Sequence, residues 1–229
     1  TSAFNSQTSY PEGTLCPDLE VWADMWNIPP EIQVEAVREL LLHLDCHKSM
    51  GPDGLHPRVL RELVGVIAEP LSAICQHSWM SGKVPEDWRL ADVTPIYRKG
   101  RKEDPGNYRP ISLTSVPGKV MEQIILGEIT RHVLGIQGIR PSQHRFMKGR
   151  PCLTKFVSFY DWVTRLVDEG KAVDVVCLDF SKAFATVSHS ILLGKLAARG
   201  LDSFTLRWVR NWLEGCAQWV VVSGVKSSW

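Results

Sequence analysis

The sequence is organised around the segment VDVVCLDFSKAFATVSH, from Val173 to His189. Its apolar run Val175 to Leu178 predicts a short strand that is buried on both faces, and Asp179 follows directly at the end of that strand. A buried strand holds its last residue rigidly, so an acid there can point into a cleft beyond the sheet edge without burying its charge. Asp179 is therefore a candidate functional carboxylate, and the bland alternative is that it caps a turn or the next helix.

The composition is that of a globular protein, with 44% hydrophobic and 22% charged residues in a chain of 229. The sequence has no apolar run long enough for a membrane span and no charged-then-apolar N-terminus typical of a secretory leader. We expect an intracellular protein, in the nucleus or the cytoplasm, with no membrane partner. The six cysteines are widely spaced, which favours reduced thiols. Because the chain begins at Thr1 and ends at Trp229 within strand-like sequence, we also expect a piece of something longer.

Charge is distributed unevenly along the chain. Residues 1–47 carry eight acids and one arginine, so the later 182 residues carry +8, since the whole chain is at +1. From residue 129 to residue 160 there are six cations and no acid. Such a surface favours a polyanionic partner, because Lys and Arg neutralise phosphates and release counterions. An ordinary solvated basic face remains an equal alternative.

The pattern of apolar residues predicts more helices than strands, and hence an α+β domain. Two strands are predicted at 88–97 and 108–113 around a basic loop, and a hairpin at 218–225 turns near Ser223 and Gly224. Helices are predicted at about 30–45, from 59 to a break near Pro70, then at 71–79, 118–133, 153–168, 190–199 and 204–213. In the fifth of these, Phe156, Tyr160, Val163 and Val167 are predicted to point inward, and Ser190 is predicted to cap the sixth.

Five motifs occur in a fixed order along the chain: GPDGLHPRVL, VTPIYRKG, NYRPISL, SQHRFMKGRPC and LDFSKAFATVSH. Together they strongly resemble the reverse transcriptases of non-LTR retrotransposons, of the jockey and chicken-repeat type. The resemblance covers about residues 31–229. It implies the fingers and incomplete palm of a right-hand polymerase, with a linker or arm at 1–30, an N-terminal extension and fingers at 31–170, and a partial palm at 171–229.

The resemblance implies a role for two residues of the opening segment. Asp179 matches the first catalytic carboxylate of the palm, which in such polymerases binds both Mg²⁺ ions, and hard oxygen ligands are what Mg²⁺ requires. Phe184 matches the bulky residue that excludes a ribose 2′-hydroxyl. The implied partners are an RNA template, a DNA primer and an incoming deoxynucleoside triphosphate.

The resemblance also implies a nucleotide site in the fingers. Arg98 or Lys99, together with Arg109, match positions that hold the triphosphate, where fixed cations offset the charge of the transition state. A second fingers segment matches residues near the template and nucleotide, namely Gln143, Phe146, Lys148 and Gly149. The GPDGLHP loop resembles an N-terminal feature of this polymerase class, and we assign nucleic-acid binding to the loop.

The chain departs from the family pattern at several positions. Ala185 stands where the family has an acid, and Arg145 stands where it has Gly. The sequence ends before the second catalytic motif, with its palm helix and paired aspartates. We therefore expect a fragment of an RNA-directed DNA polymerase that is inactive by itself. The alternatives are a nucleic-acid-binding remnant without catalysis and a decayed coding remnant without function.

Overall fold

A computed structural model describes residues 31–136, 138–139, 143, 152–178 and 186–228. These residues form seven α-helices and a four-stranded sheet, so the predicted α+β class is confirmed. The helices are α1 (Val34–Leu42), α2 (Pro57–Glu62), α3 (Val64–Ser81), α4 (Val116–Gly135), α5 (Cys152–Asp168), α6 (His189–Ala198) and α7 (Ser203–Leu213). The strands are β1 (Leu90–Tyr97), β2 (Tyr108–Thr114), β3 (Ala217–Val222) and β4 (Val225–Lys226). None of the described helices has the length and apolarity that a membrane crossing needs.

The chain divides into two compact units. The first consists of Thr1–Glu128 with Ser188–Trp229 and contains the sheet, and the second is Ile129–Val187 and contains α5. The boundary falls within α4. These two units do not test the predicted division into fingers at 31–170 and palm at 171–229. That division concerns the architecture of a polymerase, and it stays a prediction.

Helix α3 lies at the centre of the first unit. Its residues Ala68, Leu71, Cys75 and Trp79 recur every three or four positions and are all buried, because this spacing places them on one helical face. The helix packs against α1 and α7. The segment before α1 is fixed to α3 through Ile32, whose N–H donates to Oε1 of Gln76 at 2.7 Å.

The predicted helix break near Pro70 is wrong, because α3 runs through that residue. Proline removes one backbone hydrogen bond, which leaves the carbonyl four residues earlier, that of Val66, without its usual partner. Both residues are exposed, so water can bond to this carbonyl in place of the missing N–H. The break between helices lies instead at Leu63, which separates α2 from α3.

The sheet has the strand order β2-β1-β3-β4. β1 pairs antiparallel with β2 and parallel with β3, which places the early hairpin next to the last strands of the chain. β3 and β4 form the predicted hairpin, and its turn residues Ser223 and Gly224 have φ values of 51° and 81°. Two successive positive φ values are typical of the type I′ turn that matches strand twist. The strands predicted at 88–97 and 108–113 form as β1 and β2, but Trp88 and Arg89 belong to a 3-10 turn that precedes β1.

The predicted strand at Val175 to Leu178 is wrong. Residues 171–178 have no regular secondary structure, and Val176 and Leu178 are 80% and 88% exposed. A strand of this apolar kind is stable only when neighbouring strands satisfy its backbone groups on both sides. In the described part of the chain, the sheet consists of β1 to β4 and includes no pairing with this segment.

Two further local predictions need correction. Helix α5 forms as predicted, but Phe156, Tyr160 and Val167 are 69%, 73% and 56% exposed, because periodicity defines an apolar face without supplying an element to cover it. The cap of α6 is Ser188, whose Oγ accepts from the N–H of Ile191 at 3.4 Å, and not Ser190. The predicted end of α6 is confirmed by Gly200, which has φ of +75°.

Candidate nucleotide-binding site

The candidate site lies on the β1–β2 hairpin and its basic loop, residues 98–107. The two strands are in an antiparallel register that places Ile96 opposite Arg109. One more backbone bond extends the pairing, from the N–H of Arg98 to the carbonyl of Asn107 at 2.9 Å. The loop is therefore closed at its base by the ladder of the sheet.

The register decides which cations share a face. Successive side chains of a strand point to opposite faces, and directly paired residues of neighbouring strands point to the same face. Ala91 and Val93 are buried, so the odd-numbered positions of β1 face the core. Arg109 pairs with an even-numbered position and belongs to the other face. Arg98 continues that face, because its backbone bond to Asn107 extends the pairing by one residue, whereas Lys99 lies in the bend that follows, so the register favours Arg98 as the partner of Arg109.

The cations of the hairpin are exposed and available to a ligand. Among the described residues, Arg98, Lys99 and Arg109 have no ion-pair partner. Arg101 lies 3.7 Å from a carboxylate oxygen of Glu103, with both side chains largely in solvent. Such an exposed pair contributes little to the free energy of unfolding, so another anion can easily replace Glu103 as the partner of Arg101. The hairpin therefore presents positive potential to an anionic ligand.

An acid on the same face as Arg109 is already neutralised. The carboxylate of Asp92 lies 2.9 Å from Nζ of Lys226 and is 18% exposed. Nζ of Lys226 also lies 5.3 Å from the ring centroid of Trp219, which holds the ammonium against the sheet. Because Asp92 is engaged in this way at the base of the hairpin, it does not compete with an incoming anion for Arg109.

The GPDGLHP loop contacts the far end of the strand that carries Arg109. Gly51 is buried, and a Cβ built on it would lie 2.5 Å from the carbonyl of Thr114 and 2.6 Å from the nitrogen of Ser115. Gly54 has φ of +71° and donates its N–H to the carbonyl of Gly51 at 3.2 Å. The glycines therefore allow a tight turn to pack on the β2–α4 junction, a structural role that the sequence did not reveal. The predicted role in nucleic-acid binding stays a prediction.

Most of the other predicted site residues lie outside the described part of the chain: Phe146, Lys148, Gly149, Asp179 and Phe184. Gln143 is described, is exposed and has no regular secondary structure. The structure therefore places Arg98 and Arg109 on the same hairpin, and the roles of all the predicted site residues stay predictions. Among the residues that are described, no group of three or more His, Cys, Asp or Glu side chains could hold a metal ion.

Comparison with known families identifies the class of protein. Residues 100–228 match the family described as reverse transcriptase (RNA-dependent DNA polymerase), and the chain belongs to this family. The matched segment begins in the basic loop of the hairpin and extends through β4. The resemblance to non-LTR retrotransposon reverse transcriptases is confirmed, and the architecture is that of a partial reverse transcriptase fold.

The individual relatives are proteins of mobile elements. The chain is 25% identical over 187 residues to the retrovirus-related Pol polyprotein from type-1 retrotransposable element R1 of Bradysia coprophila, covering 78% of this chain and 18% of that protein. It is 26% identical over 225 residues to the RNA-directed DNA polymerase from mobile element jockey of Drosophila melanogaster, covering 96% and 24%. A third relative is the probable RNA-directed DNA polymerase from transposon X-element of the same fly, at 30% identity over 185 residues, covering 78% and 20%. The chain thus spans between 18% and 24% of the length of these relatives.

Membership in the family carries general chemical implications. Reverse transcriptases act on a nucleic-acid template and primer with deoxynucleoside triphosphates, and they depend on divalent metal ions. The exposed cations of the β1–β2 hairpin are compatible with such anionic substrates.

Proposed function

We propose that this chain forms the fingers and part of the palm of an RNA-directed DNA polymerase from a non-LTR retrotransposon. In this proposal, Arg98 and Arg109 bind the triphosphate of the incoming deoxynucleotide. The observation that carries it is that these two exposed cations lie on one face of the β1–β2 hairpin without acidic partners among the described residues. The family match begins at residue 100, so it covers Arg109 and supports the assignment of that residue.

The chemistry of the two arginines suits a triphosphate. A guanidinium presents several N–H donors in a planar fork and can bind phosphate oxygens in pairs. Fixed cations near the β- and γ-phosphates also offset the charge that develops as the pyrophosphate leaves. Arg98 and Arg109 thus contribute to both binding and orientation of the nucleotide.

Asp179 is proposed as a metal carboxylate of the same reaction, with Mg²⁺ as the ion. The donor type fits, because Mg²⁺ prefers carboxylate and phosphate oxygens. When bound, the metal lowers the pKa of the attacking hydroxyl and neutralises phosphate charge. Phe184 is proposed to occupy the space that a ribose 2′-hydroxyl would need, which selects deoxynucleotides. The template and nucleotide contacts are assigned to the second fingers segment, namely Gln143, Phe146, Lys148 and Gly149.

The proposal is tested by measuring the equilibrium binding of a deoxynucleoside triphosphate to the chain in Mg²⁺. Arg109→Ala is expected to raise the Kd about 10- to 100-fold, because a hydrogen bond between charged groups contributes about 1.5–3 kcal/mol. Arg98→Ala is expected to act in the same direction. Arg61→Ala is the matched control, because Arg61 is exposed on α2, away from the hairpin. Equal affinity in the wild type and in both hairpin variants would overturn the assignment.

Nucleic-acid binding without catalysis is the second candidate function. The observation that favours it is that residues 98–102 include four exposed cations on a loop, whereas Ala185 replaces an acid of the family motif. This alternative predicts retention of RNA at low salt without specific binding of a triphosphate. The binding measurement described above therefore separates the two candidates.

A further inference from the structure

Three side chains at the ends of β1 and β2 are bonded to the backbone of the basic loop. The hydroxyl of Tyr97 donates to the carbonyl of Gly100 at 2.6 Å. The amide nitrogen Nδ2 of Asn107 donates to the carbonyl of Arg101 at 2.9 Å, and the hydroxyl of Tyr108 donates to that of Lys102 at 3.0 Å. Three consecutive carbonyls of the loop are thus held by groups that belong to the sheet or directly adjoin it.

The loop is shaped so that these bonds can form. Gly100 has φ of +95°, and a Cβ built on it would lie 2.6 Å from Nδ2 of Asn107. Only glycine suits this position, because another residue would be strained in its backbone and would displace the amide. Gly100 in RKG and Asn107 in NYRPISL therefore depend on each other. The sequence shows both motifs but does not reveal this contact.

The two tyrosine rings support each other and one of the loop cations. Their centroids lie 5.6 Å apart with the ring planes at 62°, the edge-to-face arrangement that aromatic pairs favour. Nζ of Lys102 lies 5.7 Å from the centroid of Tyr97. Lys102 is therefore held against the protein, whereas Arg98 and Arg109 have no such contact among the described residues.

We infer that Tyr97, Asn107 and Tyr108 are positioning residues for the cations of the hairpin, an inference that rests on the proposed function. An exposed loop of ten residues samples many conformations when its backbone is free, and ordering it on binding costs affinity. By holding the carbonyls of residues 100–102, the three side chains fix the path of the backbone that leaves Arg98. Arg98 is thereby kept on the face of Arg109 before a triphosphate arrives.

A structural role alone makes a different prediction. Hydrogen bonds between exposed groups contribute little to the free energy of unfolding, so loss of a tyrosine hydroxyl should hardly change the melting temperature. If the tyrosines position the loop, losing a hydroxyl instead increases the local opening of the loop and weakens the binding of the ligand. Hydrogen exchange at the amides of Arg98, Asp104 and Asn107 reports it directly, because all three donate to backbone carbonyls in or at the base of the loop.

The experiment compares Tyr97→Phe, Tyr108→Phe and the double variant with the wild-type chain. Each variant keeps the ring and removes one hydroxyl. We expect exchange at the loop amides to rise about fivefold per hydroxyl and the Kd for a deoxynucleoside triphosphate to rise by a similar factor, with an unchanged melting temperature. Tyr160→Phe is the matched control, because that tyrosine is exposed on α5.

The outcomes separate this inference from the proposed function. Unchanged loop exchange in the double variant would overturn the positioning role, even if the arginine variants lose affinity. Faster exchange with an unchanged Kd would overturn it as well, because the loop would then be held without consequence for the ligand. A wild-type chain that binds no triphosphate would overturn the proposed function, and the positioning role would fall with it.

Discussion

The indole nitrogen Nε1 of Trp79 donates a hydrogen bond of 3.1 Å to Oγ1 of Thr205, 126 residues further along the chain. A reciprocal bond of 3.0 Å runs from Nε1 of Trp208 to Oγ of Ser78. Both indoles are almost completely buried, so their N–H groups need these partners. The pair of bonds fixes α3 against α7 and thus joins the early and late parts of the chain in one core.

Replacing the acceptor of this contact is expected to destabilise the first unit. Thr205→Val keeps the shape but leaves the buried N–H of Trp79 without a partner, which costs about 1–3 kcal/mol in the free energy of unfolding. Chemical denaturation monitored by tryptophan fluorescence measures the change. Thr164→Val on the exposed surface of α5 serves as the control and should change little. Equal stability of the Thr205 variant would contradict the proposed contact.

The close approach at Gly51 makes a second prediction. Gly51→Ala would force a Cβ against the backbone of Thr114, which cannot move without disturbing β2, so we expect a loss of about 1–3 kcal/mol or more. Gly127→Ala is the matched control, because nothing beyond the adjoining backbone of α4 lies within 4 Å of its Cβ position. That variant should gain up to about 1 kcal/mol from the higher helix propensity of alanine. Similar melting curves for the two variants would show that the Gly51 contact is absent.

Nucleic-acid binding is expected to depend on salt through the hairpin cations. For single-stranded RNA, removing one phosphate contact should lower the slope of log Kd against log salt by about 0.7. The double variant Arg98→Ala/Arg109→Ala should therefore reduce it by about 1.4. Filter binding across a salt series gives the slope, with Arg61→Ala/Lys195→Ala as the control of equal charge, because both cations are exposed, on α2 and α6, outside the predicted binding segments. A slope that falls equally in both double variants would assign the effect to net charge alone.

Primer extension by the 229-residue chain alone is expected to be absent. A two-metal mechanism needs more than one carboxylate, and no two aspartates are adjacent in this sequence. The measurement is incorporation of labelled deoxynucleotide on an RNA template with Mg²⁺ or Mn²⁺. Extension that Asp179→Ala abolishes would refute this prediction and would assign a working metal site to the chain.

Thiol reactivity should distinguish the core from the surface. Burial in α3 raises the pKa of Cys75 to about 12, so almost none of it is thiolate at pH 8, and its buried side chain also excludes reagents. Cys177 is exposed. We expect alkylation of Cys177 within minutes, whereas Cys75 reacts only as the first unit unfolds. Mass spectrometry of peptides after timed labelling measures both, and early labelling of Cys75 would contradict the packing of α3.

Much of the candidate site could be predicted from local sequence. The apolar strands on either side of RKGRKEDPGN, with its Pro and Gly, predict a hairpin, and ladder pairing confirms it. The choice between Arg98 and Lys99 could not be made from sequence, because it depends on the register of two strands. The contact of Gly100 with Asn107 was equally hidden, since it arises from the folded loop.

By itself, the sequence determined the family, the α+β class, the helices and the hairpins, because motif order, apolar periodicity and turn residues are local properties of the chain. Only the tertiary structure decided which of those local tendencies were satisfied. It continued α3 through Pro70 where water can reach the freed carbonyl, and it left Val175 to Leu178 exposed instead of in a strand. The reason is that burial and strand pairing need a second element to pack against. The sequence pattern of one element does not show whether that second element is present.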